Sequence, residues 1–334
     1  MTKPKLPSLP EAILSGDRRA LARAITQVES TKPSDRAEAE RVLERILPAT
    51  GNAVRIGISG APGAGKSTFI EAFGGHLTSI GKSVAVLAVD PSSRRSGGSI
   101  LGDKTRMERL ARDPAAFIRP SPAGTTAGGV ARRTREAMLL VEAAGFEVVL
   151  VETVGVGQSE TAVADMVDLF VLLVSPGGGD DLQGIKRGVM ELADLVLVTK
   201  ADGDLVHAAN RAEADYRAAL HLMRPKYPGF APWVRKVSAL KNIGIPDAWS
   251  DLLKFHLELG AGGYLRRLRE NQARGWFWNE VQAVLSDTIA ADPEAAAEAS
   301  RIEAAVVAGK TLPYAAARSL IRAFRGLDGP DGAP

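Results

Sequence analysis

The sequence lacks cysteine entirely, and only four of its 334 residues are histidine. Without cysteine the chain can form neither a disulfide framework nor a thiolate metal site. The four histidines lie far apart in the sequence and show none of the short spacings of metal ligands; they are His76, His207, His221 and His256. The composition therefore argues against a metal centre built on cysteine or histidine.

Long apolar runs are also missing. The longest, such as Leu169–Val174, fall well short of the ~20 residues that a membrane-spanning helix requires. No charged-then-apolar leader opens the chain. The net charge is only +3, and the basic residues are scattered and rarely interleaved with aromatic residues, which make up 5% of the chain. We therefore expect a cytoplasmic protein that binds neither membrane nor nucleic acid.

What the sequence does contain is a phosphate-binding motif. Residues 60–67 have the sequence GAPGAGKS, which fits the Walker A pattern GxxxxGK[ST] at every fixed position. The preceding run Val54–Ser59 is typical of a buried strand, and Thr68–Phe73 is typical of a helix start. A glycine-rich turn without a ligand is the alternative, but pattern and context together predict binding of a nucleoside triphosphate.

The roles expected in this loop follow from its chemistry. The glycines let successive backbone N–H groups and the positive end of the following helix point at phosphate oxygens. Lys66 is expected to reach the β- and γ-phosphates as a catalytic residue, and the Ser67 hydroxyl to ligate Mg²⁺. The predicted nucleotide contacts in this stretch are Gly63, Ala64, Gly65, Lys66, Ser67 and Thr68.

Short apolar runs alternate with helical patterns from residue 53 to about 260. This alternation predicts an α/β fold of the P-loop NTPase type, a mostly parallel sheet with helices on both faces. Ligands bind at the carboxyl ends of the strands in such sheets. The predicted strands are Val54–Ile58, Val84–Val89, Val148–Val151, Leu169–Val174 and Leu195–Val198, with a weaker run at Val234–Val237.

A carboxylate ends the third of these strands. Glu152 is followed by Thr153, Val154 and Gly155, and in this place a carboxylate is expected to act on Mg²⁺ or the attacking water while a glycine N–H meets the γ-phosphate. Many GTPases place aspartate where this chain has Glu152. The alternative is a strand end followed by a plain turn.

The base is predicted from two short elements that follow later strands. Thr199-Lys200-Ala201-Asp202 departs from the usual NKxD only at its first position. The Asp202 carboxylate can accept hydrogen bonds from both N1–H and the 2-amino group of guanine, whereas adenine would leave it unpaired. Lys200 is expected to lie along the base, and Ser238-Ala239-Leu240 to support it from the other side. Threonine at 199 is expected to loosen the contact between this loop and the P-loop.

Two further loops predict mobile switches. Asp90 leaves the second strand, and Asp103 lies in a glycine-rich stretch, where carboxylates would meet Mg²⁺ and the attacking water; a helix cap is the alternative for Asp103. After Leu169–Val174 comes a second glycine-rich stretch, 175–186. There Asp180, Asp181 or Lys186 would reach the nucleotide when a partner orders the loop; a plain solvated connection is the alternative.

We divide the chain into four parts. They are an N-terminal helical extension (1–52) with two helical patterns, a P-loop GTPase domain (53–260), a C-terminal helical arm (261–325) and a disordered tail (326–334). The arm contains the helical patterns Pro293–Val307 and Pro313–Phe324 and the aromatic triplet 276–278. Aromatic residues are enriched at interfaces, so we expect the arm to dimerise; packing within one chain is the alternative.

The motifs, taken in order, resemble those of the MeaB/ArgK family of P-loop GTPases. The stretches that carry the resemblance are GAPGAGKS, VDPSS, GGSILGDKTRM, ETVGVGQSE, SPGGGDDLQGIK, TKAD and SALKNIGI, and it covers roughly residues 10 to 325. The resemblance implies a homodimeric GTPase that assists methylmalonyl-CoA mutase, an adenosylcobalamin enzyme, by gating cofactor loading and protecting the mutase.

The resemblance also implies residue roles. Lys66 and Ser67 go to phosphate and Mg²⁺; Asp90, Asp103 and Glu152 fall in the family's metal and hydrolysis positions; Lys186 lies in a third switch that responds to the mutase. Two alternatives stay open. A P-loop kinase of a small molecule or protein would need an acceptor pocket, and a metal-insertion GTPase would be expected to show cysteine or histidine ligands.

Overall fold

The structure is a computed structural model that describes residues 7–89, 107–120, 127–153, 159–176 and 187–325. The chain divides into two compact units, residues 1–269 and residues 270–334. The domain boundaries expected from the sequence stay predictions, and the expected tail, 326–334, lies outside the described residues.

The first unit is built on a seven-stranded sheet in the order β3-β2-β4-β1-β5-β6-β7, with every paired neighbour parallel. The predicted α/β class is therefore confirmed. The strands are β1 (Val54–Gly60), β2 (Val84–Val89), β3 (Ala116–Arg119), β4 (Val148–Thr153), β5 (Leu169–Val174), β6 (Leu195–Val198) and β7 (Trp233–Lys236).

Helices connect and cover these strands. They are α1 (Leu9–Leu14), α2 (Arg18–Glu29), α3 (Pro33–Ile46), α4 (Lys66–Ser79), α5 (Glu108–Arg112), α6 (Ala127–Ala143), α7 (Ser159–Ala164), α8 (Arg187–Leu192), α9 (Val206–His221), α10 (Ile245–Ala261) and α11 (Tyr264–Ala291), whose first residues belong to this unit. Among the described residues, no helix combines the length and apolarity that crossing a membrane requires.

The register places the predicted site residues side by side. β1 is central and pairs with β4 and β5; Ile58 lies opposite Glu152, and Gly60 lies opposite Leu173. Because all strands run parallel, their carboxyl ends meet at one edge of the sheet. Glu152 therefore lies beside the end of the strand that leads into the P-loop.

Aromatic packing holds α4 against the sheet. Phe69 and Phe73 are buried in the core, with ring centroids 5.1 Å apart, and Trp249 of α10 meets Phe73 edge-on at 6.2 Å. Burying a side chain of this size stabilises the fold by ~1.5–3 kcal/mol. The helix that carries Lys66 at its first residue is therefore fixed relative to the strands.

The N-terminal segment forms three helices where two were predicted. The first predicted helical pattern, which runs from Leu14 to Val28, is interrupted at Gly16, whose left-handed φ of 80° favours glycine. Asp17 then starts α2, because its Oδ1 accepts hydrogen bonds from the N–H groups of Arg19 (2.8 Å) and Ala20 (3.1 Å). Both α2 and α3 pack on α6, so this segment is part of the first unit.

The second unit is helical in its described residues. It contains the rest of α11, then α12 (Pro293–Val307) and α13 (Pro313–Phe324), which pack together. The last two helices have the bounds predicted from the sequence. Asp292 caps α12, because its Oδ1 accepts from the N–H groups of Glu294 and Ala295, each at 3.0 Å.

Candidate functional site

The loop between β1 and α4 has the backbone that the Walker A pattern requires. Gly63 has φ of 82° and Gly65, which precedes the helix, φ of 89°, both in the left-handed region. A side chain on Gly60 would collide with the carbonyl oxygen of Leu173 on the neighbouring strand. Three glycines of the motif are therefore required by the backbone itself.

The Lys66 side chain folds back over this loop. Its Nζ donates to the carbonyl oxygen of Gly60 at 2.7 Å and lies 3.4 Å from that of Ala61. Burial lowers the pKa of Lys66, and the negative charges of Glu152 and Glu160 oppose that shift. The lysine can exchange its carbonyl partner for phosphate oxygens when a nucleotide enters.

Two buried carboxylates act on Lys66. Glu152 ends β4 and is 4% exposed, and Glu160 lies in the first turn of α7 and is 1% exposed. Glu152 was predicted, but Glu160 was missed, because nothing in its sequence spacing from Lys66 indicates that the two lie close together. A hydrogen bond of 2.9 Å between the hydroxyls of Thr153 and Ser59 ties the ends of β4 and β1 together nearby.

A cavity of about 300 Å³ connects the P-loop to the predicted base-recognition elements. It brings together seven predicted contacts from three separate parts of the sequence, and three other apolar residues complete its wall. Its lining residues are Gly65, Thr68, Phe69, Thr199, Lys200, Asp202, Leu205, Val237, Ala239 and Leu240. A planar base of purine size fits a cavity of this volume and character.

Hydrogen bonds set the shape of the base loop. The Ser238 hydroxyl donates to Oδ2 of Asp202, and the Ala201 N–H donates to the carbonyl oxygen of Val237 at 3.1 Å. Lys200 has a left-handed φ of 53°, which turns the chain sharply between strand and cavity. Ser238, buried itself, therefore orients the carboxylate that lines the cavity.

Thr199 keeps the contact between the base loop and the P-loop. Its Oγ1 donates to the carbonyl oxygen of Ala64 at 2.7 Å and lies 3.0 Å from that of Val174. The threonine side chain therefore reaches the P-loop, and whether the contact is looser than that of asparagine stays a prediction.

The remaining predicted residues lie outside the described ranges. They are Asp90, Asp103, Gly155, Asp180, Asp181 and Lys186. Within the described residues, no group of three or more histidine, cysteine, aspartate or glutamate side chains is placed to hold a metal ion. The described part of the site thus contains the P-loop, the two buried carboxylates and the base cavity.

Comparison with known proteins gives a family match over most of the chain. The family model described as methylmalonyl Co-A mutase-associated GTPase MeaB matches residues 21–294. A putative GTPase of Caulobacter vibrioides is 53% identical over 95% of this chain and 97% of its own length. The mitochondrial methylmalonic aciduria type A homolog of Mus musculus is 47% identical over 94% of this chain and 78% of its own.

A solved structure has the same fold over almost the whole chain. The crystal structure of a LAO/AO transport system kinase superposes with a TM-score of 0.75 at 40% identity, covering 95% of this chain and 96% of that one.

Proposed function

The chain belongs to the MeaB family of methylmalonyl-CoA mutase-associated GTPases, and on that premise we propose that it is a cytoplasmic chaperone of a methylmalonyl-CoA mutase. In this proposal GTP binding and hydrolysis gate the loading of adenosylcobalamin and protect the mutase. The proposal that the chain binds a nucleotide rests on one observation: a single cavity joins Gly65 of the P-loop and Thr68 of α4 to Asp202. The family match supports the proposal that methylmalonyl-CoA mutase is the partner.

Guanine recognition is proposed for the base loop. Asp202 accepts from N1–H and the 2-amino group of guanine, Lys200 covers one face of the base, and Ala239 and Leu240 support the other side. The Ser238 hydroxyl already donates to one carboxylate oxygen and so orients the group before the base arrives. Adenine has no 2-amino donor and would leave a desolvated carboxylate without its partners, which costs several kcal/mol.

Magnesium fits the donors of the phosphate end. The Ser67 hydroxyl and the Glu152 carboxylate, with Asp90 and Asp103, are the hard oxygen ligands that Mg²⁺ prefers. When bound, the ion neutralises charge on the phosphates. Lys66 steadies the charge that develops between the β- and γ-phosphates, the Gly155 N–H meets the γ-phosphate, and Glu152 or Asp90 positions the attacking water.

Slow intrinsic hydrolysis is expected, because the motifs show no obvious arginine finger or water-orienting glutamine. We propose that the mutase accelerates the reaction by ordering the stretch 175–186, in which Lys186 would reach the nucleotide. Binding energy from the partner would then be used to complete the catalytic arrangement.

Homodimerisation is proposed through the second unit. Phe277 and Trp278 on α11 are 59% and 58% exposed, although their rings contact each other with centroids 5.3 Å apart. Apolar side chains on the following helices are exposed as well, among them Val307 and Tyr314. Large exposed apolar groups of this kind mark interaction surfaces.

A kinase activity is the second candidate, because one structural relative is named a LAO/AO transport system kinase. It predicts transfer of the γ-phosphate to an acceptor rather than to water. Incubating the protein with labelled GTP and ATP and following phosphate release separates the two: the GTPase proposal requires inorganic phosphate as product and a preference for GTP.

The decisive experiment measures GTP hydrolysis under saturating Mg²⁺, with and without purified methylmalonyl-CoA mutase. The wild type should be accelerated by the mutase, whereas Lys186→Ala should keep the basal rate and lose the acceleration. Lys254→Ala, at an exposed lysine paired with Glu258 on α10, is the matched control and should behave as wild type. If the mutase leaves the rate of GTP hydrolysis unchanged, the proposed partner is wrong, but the proposed GTPase activity still stands.

A further inference from the structure

Thr199 holds a carbonyl group of a loop to which it does not belong. Its hydroxyl oxygen lies 2.7 Å from the carbonyl oxygen of Ala64, in the middle of the P-loop. Thr199 is 5% exposed and Ala64 is 2% exposed, so water does not compete for the hydrogen bond. Breaking it would leave a buried carbonyl group unpaired.

The proton of this hydroxyl has one well-placed destination. A threonine hydroxyl has a single proton to donate. The other carbonyl within reach, that of Val174 at 3.0 Å, already accepts from the Thr199 backbone N–H at 2.8 Å. A carbonyl oxygen can accept two hydrogen bonds, so the distance decides, and we assign the hydroxyl proton to the nearer carbonyl oxygen, that of Ala64.

Ala64 is also where the P-loop backbone is most easily reshaped. It lies between Gly63 and Gly65, both with left-handed φ, and glycine gives the backbone wide conformational freedom. The Thr199 hydrogen bond restricts this freedom from outside the loop. A shift of Thr199 would therefore alter the peptide groups next to Ala64 in the P-loop.

The same residue begins the loop that lines the base cavity. Thr199 lies in the cavity wall, three residues before Asp202 in the chain. Gly65, which precedes Lys66, lies in the same wall. We propose that Thr199 is a positioning residue that couples the two ends of the nucleotide site, so that phosphate binding sharpens discrimination of the base. This proposal rests on the guanine recognition proposed above.

Coupling of this kind is reciprocal and can be measured with four ligands. Inosine nucleotides lack only the 2-amino group that Asp202 is proposed to accept. In the wild type, the ratio of dissociation constants for IDP and GDP should exceed the ratio for IMP and GMP by about five-fold or more. The additional β-phosphate, held by the P-loop, is the difference between the two pairs.

Removing the hydroxyl should abolish this difference. Thr199→Val keeps the branched shape without the donor and should make the two ratios equal, and Thr199→Ser, which keeps the hydroxyl, should restore the wild-type difference. A change that only loosened the base loop would lower both ratios together and leave their quotient unchanged. Thermal unfolding without nucleotide verifies that the variants fold.

The wild type alone can overturn the proposal. Equal ratios for diphosphates and monophosphates, both well above one, would show that guanine is recognised without coupling to the phosphates. Ratios of one for both pairs would overturn guanine recognition by Asp202, and the coupling with it. A wild-type difference that persists in Thr199→Val would assign the coupling to other residues.

Discussion

Arg269 donates to both carboxylate oxygens of Asp168, from Nε to Oδ1 at 2.8 Å and from Nη2 to Oδ2 at 2.7 Å. The same guanidinium also donates to the carbonyl oxygens of Gly51 and Ala53, the residues that lead into β1. Asp168 in turn accepts from the backbone N–H of Arg55 at 3.0 Å. The start of α11 is thus tied to the amino end of the P-loop strand.

Breaking this pair should destabilise the first unit strongly. Asp168 is fully buried, so Arg269→Met would leave a buried carboxylate without its main partner, at a cost of roughly 3 kcal/mol in the free energy of unfolding. Urea unfolding measures the change. Arg41→Ala removes an exposed ion pair with Glu38 and should lower the free energy of unfolding by less than about 0.5 kcal/mol. Equal losses of stability in both variants would contradict a stabilising role for the Arg269–Asp168 pair.

Low pH should remove the stability that the Arg269–Asp168 pair contributes. Burial alone would raise the pKa of Asp168, but the hydrogen bonds from Arg269, together with His256 Nε2 at 3.4 Å from Oδ2, outweigh it and lower the pKa to about 2. The unfolded value is about 3.9, so roughly 2–3 kcal/mol of stability is present above pH ~4 and is lost as the pH falls toward 2. The difference in unfolding free energy between wild type and Arg269→Met should therefore shrink between pH 5 and pH 3. A difference that stays constant would refute this account.

Asp202 should decide which base is bound. In Asp202→Asn the side-chain amide donates to the 2-oxo group of xanthine while its oxygen still accepts from N1–H. GDP should therefore bind about 100-fold more weakly, through the loss of charged hydrogen bonds, and XDP should bind more tightly. Equilibrium titration with both nucleotides tests the switch. Asp204→Asn, at an exposed neighbour in the 3₁₀ turn 203–205, should leave the preference for guanine unchanged.

The sheet could be predicted because its strands are buried on both faces. Parallel strands covered on both sides appear as continuous apolar runs, and β2, β5 and β6 have the bounds read from the sequence. β3 was missed because its four residues, Ala116–Arg119, form an edge strand that is only half buried and ends in arginine. Too few consecutive apolar residues occur there to indicate a buried strand.

The site was predictable wherever a motif fixes the backbone. The P-loop and the TKAD and SAL elements each have a required spacing, and the structure brings them to one cavity. Glu160 was missed because its proximity to Lys66 depends on how α7 packs, and no spacing rule encodes that. The role of the Thr199 hydroxyl likewise depends on a distance between loops 135 residues apart.

Dimerisation should depend on the aromatic residues of α11. Replacing both Phe277 and Trp278 by serine removes two large exposed apolar groups while leaving the core of the second unit intact, because neither is buried. If these rings form the centre of an interface, where a few aromatic residues carry most of the binding energy, the double variant should sediment as a monomer at micromolar concentration. Leu222→Ser, at a residue of the first unit that is 86% exposed, should sediment as wild type does. A wild-type protein that is already monomeric would end the proposal, whereas a dimer that survives the double substitution would move the interface to another surface.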